Sequence, residues 1–332
     1  MMDKNYSSKT VALGFDIGGT KTKIGLVTSH GEIIAEKTFH TDLVNQSLKV
    51  YIEEFFMQIH HLLDSSPINV LGIGGTFLGW IDDDRSGPFL CQNVPVFHGL
   101  DLKALLEHEF NLPVSLIDDA NAHALAEYTF GNGRGMRRFM SVALGTGIGI
   151  AMMIDGKPLD FTSGCIGDAG HIILRPGGPT CSAGCKGCSE ALIGVAGIER
   201  LGLEKYGVFK PAYEIIRLAK EGEDSIAVEI MQEIGGFVGE MLASLIHIFL
   251  PDRIVLAGGT MNAGQVLLDA TQKRFDALVG DYYHIYTSLS HGYYHKAEIV
   301  MNTVQGETGV IGSVVNLFNH LGIPATARLS TR

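Results

Sequence analysis

Apolar residues recur along this chain in two rhythms. Short apolar runs ending on glycine or aspartate alternate with stretches in which apolar residues return every three or four positions, the pattern of strands alternating with amphipathic helices. Residues 11–15 and 24–27 are one pair of such runs around a turn of small residues, and residues 139–144 and 150–154 are a second. Each pair predicts a β-hairpin. Between them, Leu48, Tyr51, Ile52, Phe55, Phe56, Ile59, Leu62 and Leu63 fall at helical spacing over residues 47–63. Residues 70–73 and 114–117 read as strands flanking a short helix over 101–110 behind an Asp N-cap, and an alanine-rich helix is expected over 122–130. Residues 156–190 are rich in Gly, Pro and Cys and lack periodicity, an irregular insertion of the kind usually kept for function. Beyond it the pattern predicts a long helix over 225–250, a strand over 253–257, a helix over 264–279, a strand over 298–301 and a helix over 307–317. No internal repeat and no low-complexity linker is visible.

The alternation makes this an α/β chain, and 332 residues with 42 glycines exceed what one compact core holds, so two lobes are expected. The smaller lobe would take residues 1–120, completed by the C-terminal helix within 307–332, and the larger would take 121–306. A formal charge of −11, from 36 acidic against 25 basic residues without a basic cluster, lacks the counterion-release drive that nucleic-acid binders use. Nucleic acid is therefore not an expected partner. No apolar run approaches a membrane span and the first ten residues are polar, so a cytoplasmic protein without a membrane partner is expected.

Chemistry concentrates at the glycine turns. In Asp16-Ile-Gly-Gly-Thr20 a turn with free backbone N–H groups stands beside one carboxylate, a combination suited to phosphate and a divalent cation. Gly145-Thr146-Gly147-Ile-Gly149 is a second turn of the same kind. Either turn alone reads equally well as a tight hairpin; the pair together with a carboxylate points to two halves around one phosphate chain. No P-loop is present, because residues 14–21 lack the Gly-Lys-Ser/Thr ending. Asp118 and Asp119 end a strand and precede a helix, the edge where open α/β sheets place ligands. Asp119 is the candidate base that takes a hydroxyl proton in phosphoryl transfer, with a helix N-cap as the alternative use of the same residue. His171, Cys181, Cys185 and Cys188, spaced His-x9-Cys-x3-Cys-x2-Cys, form a closed set of one imidazole and three thiolates suited to structural zinc. Cys91 and Cys165 read as ordinary packing residues.

Asp16-Ile-Gly-Gly-Thr-Lys21, Gly145-Thr-Gly-Ile-Gly149, Gly167-Asp-Ala-Gly-His171, the segment from Cys181 to Glu190, and Gly258-Gly259 match, in order and spacing, the ROK family of sugar kinases and sugar-responsive repressors. The chain resembles that family over almost its whole length. The resemblance implies a two-lobed, actin-like (ribonuclease H-like) ATPase fold with ATP and sugar in a cleft between the lobes. It implies a homodimer, and a kinase that phosphorylates a hydroxyl of a hexose or modified hexose, most often the 6-hydroxyl. Asp119 would be the base. Asp16, Gly18, Gly19, Thr20, Lys21, Gly145, Thr146, Gly147, Gly258 and Gly259 would serve ATP and Mg2+. Gly79, Asn93, Asp118, Asp168, His171 and Glu190 would face the sugar, and the loop 165–190 would bind structural Zn2+ through His171, Cys181, Cys185 and Cys188. Repressors of the family carry an added DNA-binding segment, and the fifteen residues before Asp16 leave no room for one, so the kinase branch is expected. A sugar-sensing regulator without catalysis and a kinase of a non-hexose polyol are the rival readings. Three departures from the family pattern fall on the sugar side. Asp118 replaces Asn and adds charge that would raise the pKa of its neighbour; Asp168 replaces Glu, one methylene shorter; and the middle cysteine, Cys185, is shifted by two residues.

Overall fold

The structure, a computed structural model, describes residues 10–41, 47–65, 68–77, 79–91, 95–160, 167–291 and 294–327. The chain divides into two compact units, Met1–Arg134 with Pro158–Ile166 and Thr303–Arg332, and Gly135–Lys157 with Gly167–Asn302.

The first unit opens with the hairpin of β1 (Val11–Ile17) and β2 (Lys21–Thr28), followed by β3 (Ile33–His40) and helix α1 (Leu48–Asp64) behind the Ser47 cap. Strand β4 (Val70–Phe77), the small pair β5 (Trp80–Ile81) and β6 (Pro88–Leu90), helix α2 (Leu102–Phe110), strand β7 (Val114–Asp118) and helix α3 (Asp119–Phe130) continue it. The sheet runs β3-β2-β1-β4-β7, with β1 antiparallel to β2 and parallel to β4. Parallel strands are buried on both faces, which is why β1 reads as one apolar run. On one face, Phe15, Tyr51, Phe55, Ile73 and Leu106 form a core under α1 and α2. On the other, Ala12, Val27, Ala126, Val310, Val314 and Phe318 pack together.

The second unit contains β8 (Arg138–Leu144), β9 (Ile148–Ile154) and β10 (Lys157–Pro158), whose last residue falls in the first unit, then α4 (Ser189–Ile193), α5 (Val195–Tyr206), α6 (Ala212–Glu221) and α7 (Ser225–Phe249). It closes with β11 (Arg253–Ala257), α8 (Gln265–Leu278), α9 (Gly280–Leu289) and β12 (Glu298–Met301), after which α10 (Thr308–His320) belongs to the first unit. Its sheet runs β10-β9-β8-β11-β12, with β8 antiparallel to β9 and parallel to β11. The two sheets thus share one strand order although the sequence shows no repeat. Strand β4 runs past residues 70–73 through Gly74 and Gly75 to Phe77; a side chain at Gly74 would collide with the backbone of Ser313 in α10. Strand β3 and helices α5, α6 and α9 were not expected from the pattern. Among the described residues, no helix is long and apolar enough to cross a membrane.

Candidate active site

In the first unit the chemistry gathers where β1, β4 and β7 end. Gly18 N–H donates to Lys21 O at 3.0 Å, closing the β1–β2 turn, and Gly19, Thr20 and Lys21 are exposed on it. Asp16 lies one residue inside the strand, opposite Lys23 on β2 and beside Thr76 on β4. Burial pushes its carboxyl up, and the charges of His123 and Lys23 work against that rise. The buried Thr76 hydroxyl has no hydrogen-bond partner among the described residues. A Cβ on Gly309 would stand 2.6 Å from Asp16 Oδ2, so only the bare backbone at the head of α10 fits against this carboxylate.

Asp118 and Asp119 are adjacent in sequence and opposite in use. Asp118 Oδ1 accepts Asn121 N–H at 3.0 Å and Oδ2 accepts from Asn121 Nδ2 at 2.7 Å, so both of its oxygens are turned into the first turn of α3. Asp118 is the N-cap, the role the sequence left open for Asp119. Burial raises its carboxyl to about 6 against the lowering effect of those hydrogen bonds. Asp119 is the first helical residue, with Oδ1 accepting Ala120 N–H at 2.8 Å. Burial, then the charges of Asp118 and Asp16, push its carboxyl up to about 8. The rise and its charge from Asp118 agree with the expectation from the Asp-Asp pair, but burial leads. One turn on, His123 Nδ1 lies 2.6 Å from Thr308 Oγ1, and Lys23 is ion-paired with Glu307. Sequence reading passed over His123; the signal available was a lone imidazole four residues after Asp119 on an alanine-rich helix.

Gly79 takes a φ of +118°, which only glycine adopts freely, and a Cβ there would come within 3.0 Å of Cys91 Sγ. Cys91 is buried, as a packing residue should be. Asn93 and Cys165 lie outside the described residues.

In the second unit two glycine turns sit side by side at the ends of β8 and β11. Gly145 N–H donates to Gly147 O at 3.0 Å and closes the turn through Thr146, while Gly258, with φ +92°, packs against Leu144 so closely that a Cβ would strike its backbone. Open space surrounds Gly145 and Gly259. Gly147 is different, since a Cβ there would stand 2.5 Å from Glu190 Oε2. An anion is least welcome at that point, and a hydroxyl donor suits it better. Ser182 Oγ donates to Glu190 Oε1 at 3.3 Å, so the cysteine loop reaches the same carboxylate.

That loop draws together the residues assigned to zinc. One ligand atom each from His171, Cys181 and Cys185 lies within 4.8 Å of the others. Cys181 Sγ and Cys188 Sγ are both 3.6 Å from His171 Nδ1. Zn–N and Zn–S bonds of about 2.1 and 2.3 Å give tetrahedral N–S edges of roughly 3.6 Å, the spacing that Cys181 and Cys188 keep from His171 Nδ1. At the other ring nitrogen, His171 Nε2 lies 3.5 Å from Asp168 Oδ2. The shifted Cys185 closes its own small turn, with Cys181 N–H donating to Cys185 O at 3.0 Å. Arg175, just before the knuckle, pairs with Glu240 of α7, which also pairs with Arg274.

The family model described as ROK family matches residues 12–315. A glucokinase of Thermotoga maritima is 30% identical over 328 residues, covering 95% of this chain and 99% of that protein. Among solved structures, a ROK hexokinase from Thermus thermophilus superposes with a TM-score of 0.77 at 25% identity, covering 94% of this chain and 99% of that one. A ROK glucokinase from Streptomyces griseus, solved in complex with glucose and AMPPNP, gives 0.76 at 25% identity over 91% of this chain and 97% of that one. The fold is therefore the actin-like ATPase fold of these kinases.

Proposed function

This chain belongs to the ROK family, and from that premise we propose that it is an ATP-dependent kinase of a hexose or modified hexose, acting on the 6-hydroxyl. It is a phosphotransferase with an alcohol as acceptor, in line with the glucokinases it resembles. The observation that carries the reading is the Asp119 carboxyl, held near 8 beside two other acids and released from capping by Asp118.

Phosphoryl transfer to an alcohol asks the protein for position, charge and one proton acceptor. Asp119 supplies the acceptor. Its Oδ1 accepts Ala120 N–H, which orients the carboxylate, and a raised pKa makes the ionised form a stronger base toward the sugar hydroxyl than an ordinary aspartate. Asp16, with Gly18, Gly19, Thr20 and Lys21, faces the metal-bound phosphates. Mg2+, when bound, neutralises phosphate charge. The fit rests on the Asp16 carboxylate beside Thr76 of β4, whose buried hydroxyl has no hydrogen-bond partner among the described residues. Gly145, Thr146, Gly258 and Gly259 take the nucleotide, with Gly147 at the margin nearest Glu190. Gly79, Asn93, Asp168, His171 and Glu190 are assigned to the sugar, and Asp118 contributes by fixing the start of α3. The four zinc-type ligands hold the loop that carries His171 and brings Ser182 to Glu190. We take the working form as a cytoplasmic homodimer, which sedimentation velocity would reject by finding a single species of monomer mass.

A coupled ATP-turnover screen over glucose, allose, fructose, mannose and their amino and N-acetyl forms tests the reading. Turnover with at least one of them is expected. Sugar binding with no turnover would favour the sugar-sensing regulator, and turnover only with non-hexose polyols would move the substrate class.

A further inference from the structure

Three consecutive residues at the head of α10 each engage a different residue around the Asp16 carboxylate. Glu307 pairs with Lys23 of β2, Thr308 Oγ1 lies 2.6 Å from His123 Nδ1 of α3, and Gly309 lies against Asp16 of β1. Lys23 stands opposite Asp16 in the hairpin, so Glu307 and Gly309 reach the two members of one cross-strand pair. Glu307 and Thr308 bring polar groups, and Gly309 brings only backbone. The bare backbone of Gly309 packs against the Asp16 carboxylate, so a displaced α10 head would leave that carboxylate room to move. Of the three contacts, the His123–Thr308 bond alone ties the turn to α3, the helix that begins with Asp119.

We propose that His123 is a positioning residue: bonded to Thr308, it locks the head of α10 against Asp16 and so sets the affinity for the metal–nucleotide, without touching substrate. The inference rests on the reading that Asp16 faces metal-bound phosphates. A part-buried hydrogen bond that served packing alone would report its loss in His123→Ala through stability only. A positioning bond reports itself in one substrate and not the other.

The test compares wild type, His123→Ala, His123→Asn, Thr308→Val and the double variant His123→Ala/Thr308→Val. Calorimetric binding of Mg2+–AMPPNP is read alongside KM for ATP, KM for the sugar, kcat and melting temperature. Loss of one partner of this hydrogen bond should weaken Mg2+–AMPPNP binding and raise KM for ATP by about three- to tenfold, with sugar KM and kcat held within about twofold. His123→Asn, whose amide can reach the same hydroxyl, should restore nucleotide affinity to within about twofold, and the double variant should be no weaker than either single one. Unchanged nucleotide affinity in His123→Ala or Thr308→Val, or an equal loss for both substrates, overturns the inference even if melting temperature falls. Should His123→Ala fail to fold, Thr308→Val and His123→Asn decide alone. Wild-type protein that binds no Mg2+–AMPPNP would instead overturn the reading of Asp16, and this inference with it.

Discussion

Two neighbouring aspartates with the same side chain and different duties set the residue-scale argument. Asp118 spends both oxygens on Asn121, and Asp119 keeps a carboxyl that burial and the acids around it hold near 8. A base works ionised, so kcat/KM should rise with pH through an ascending limb near 8 and flatten above it. Asp118→Asn keeps a good N-cap while removing one of the charges that raise Asp119. The limb should therefore move to lower pH, without reaching the range of an exposed aspartate because burial remains. A pH–rate profile with an unmoved limb, or one displaced upward, would contradict this assignment of the two acids. Sequence made the pair visible, since an Asp-Asp at a strand end before a helix is a recognisable pattern. It could not divide the labour, because N-cap and first helical position differ by one residue and only the hydrogen bonds of Asn121 tell them apart. His123 escaped notice for a related reason: its partner Thr308 is 185 residues away.

Elements were legible where their residues carry the pattern and illegible where glycine or exposure interrupts it. The second hairpin, α1, α2, α7, α8 and β11 lie within two residues of their expected ends, and in the first hairpin only β2 begins earlier, by three residues. Strand β4 was cut short because its glycines carry no apolar signal, although they exist to let α10 approach the sheet. Gly74→Ala should cost about 1–3 kcal/mol by overpacking against the Ser313 backbone, measurable as a shifted urea midpoint. A midpoint within error of wild type would mean that α10 can retreat at no cost. Strand β3 alternates half-buried and exposed positions, and α9 buries only Tyr283, so neither gave a strong periodic signal. For the cysteine loop, purified protein should carry one zinc per chain, and removal by a strong chelator should lower the melting temperature. Metal-free protein that melts unchanged would leave the 3.6 Å sulfur–nitrogen spacing without a cation to explain it.

At the scale of the molecule, one strand order is used twice, β3-β2-β1-β4-β7 and β10-β9-β8-β11-β12, each with a glycine turn after its central antiparallel strand. The sequence shows two such turns but no repeat, because strand order is fixed by backbone hydrogen bonding and by how helices cover a sheet, and many side chains satisfy that equally. Residue identity survives where chemistry needs it. The motif set from Asp16 to Gly258 and Gly259 was therefore enough to name the family, while the strand duplication had to be seen in the structure. The central claim is that Asp119 takes the proton of a sugar hydroxyl during phosphoryl transfer. Its most direct test is Asp119→Asn, with phosphorylated product quantified by phosphorus NMR and sugar affinity measured by calorimetry. The account predicts sugar binding within about threefold of wild type and product formation reduced by roughly 10²–10⁴-fold. Product formed at near wild-type rate would contradict it.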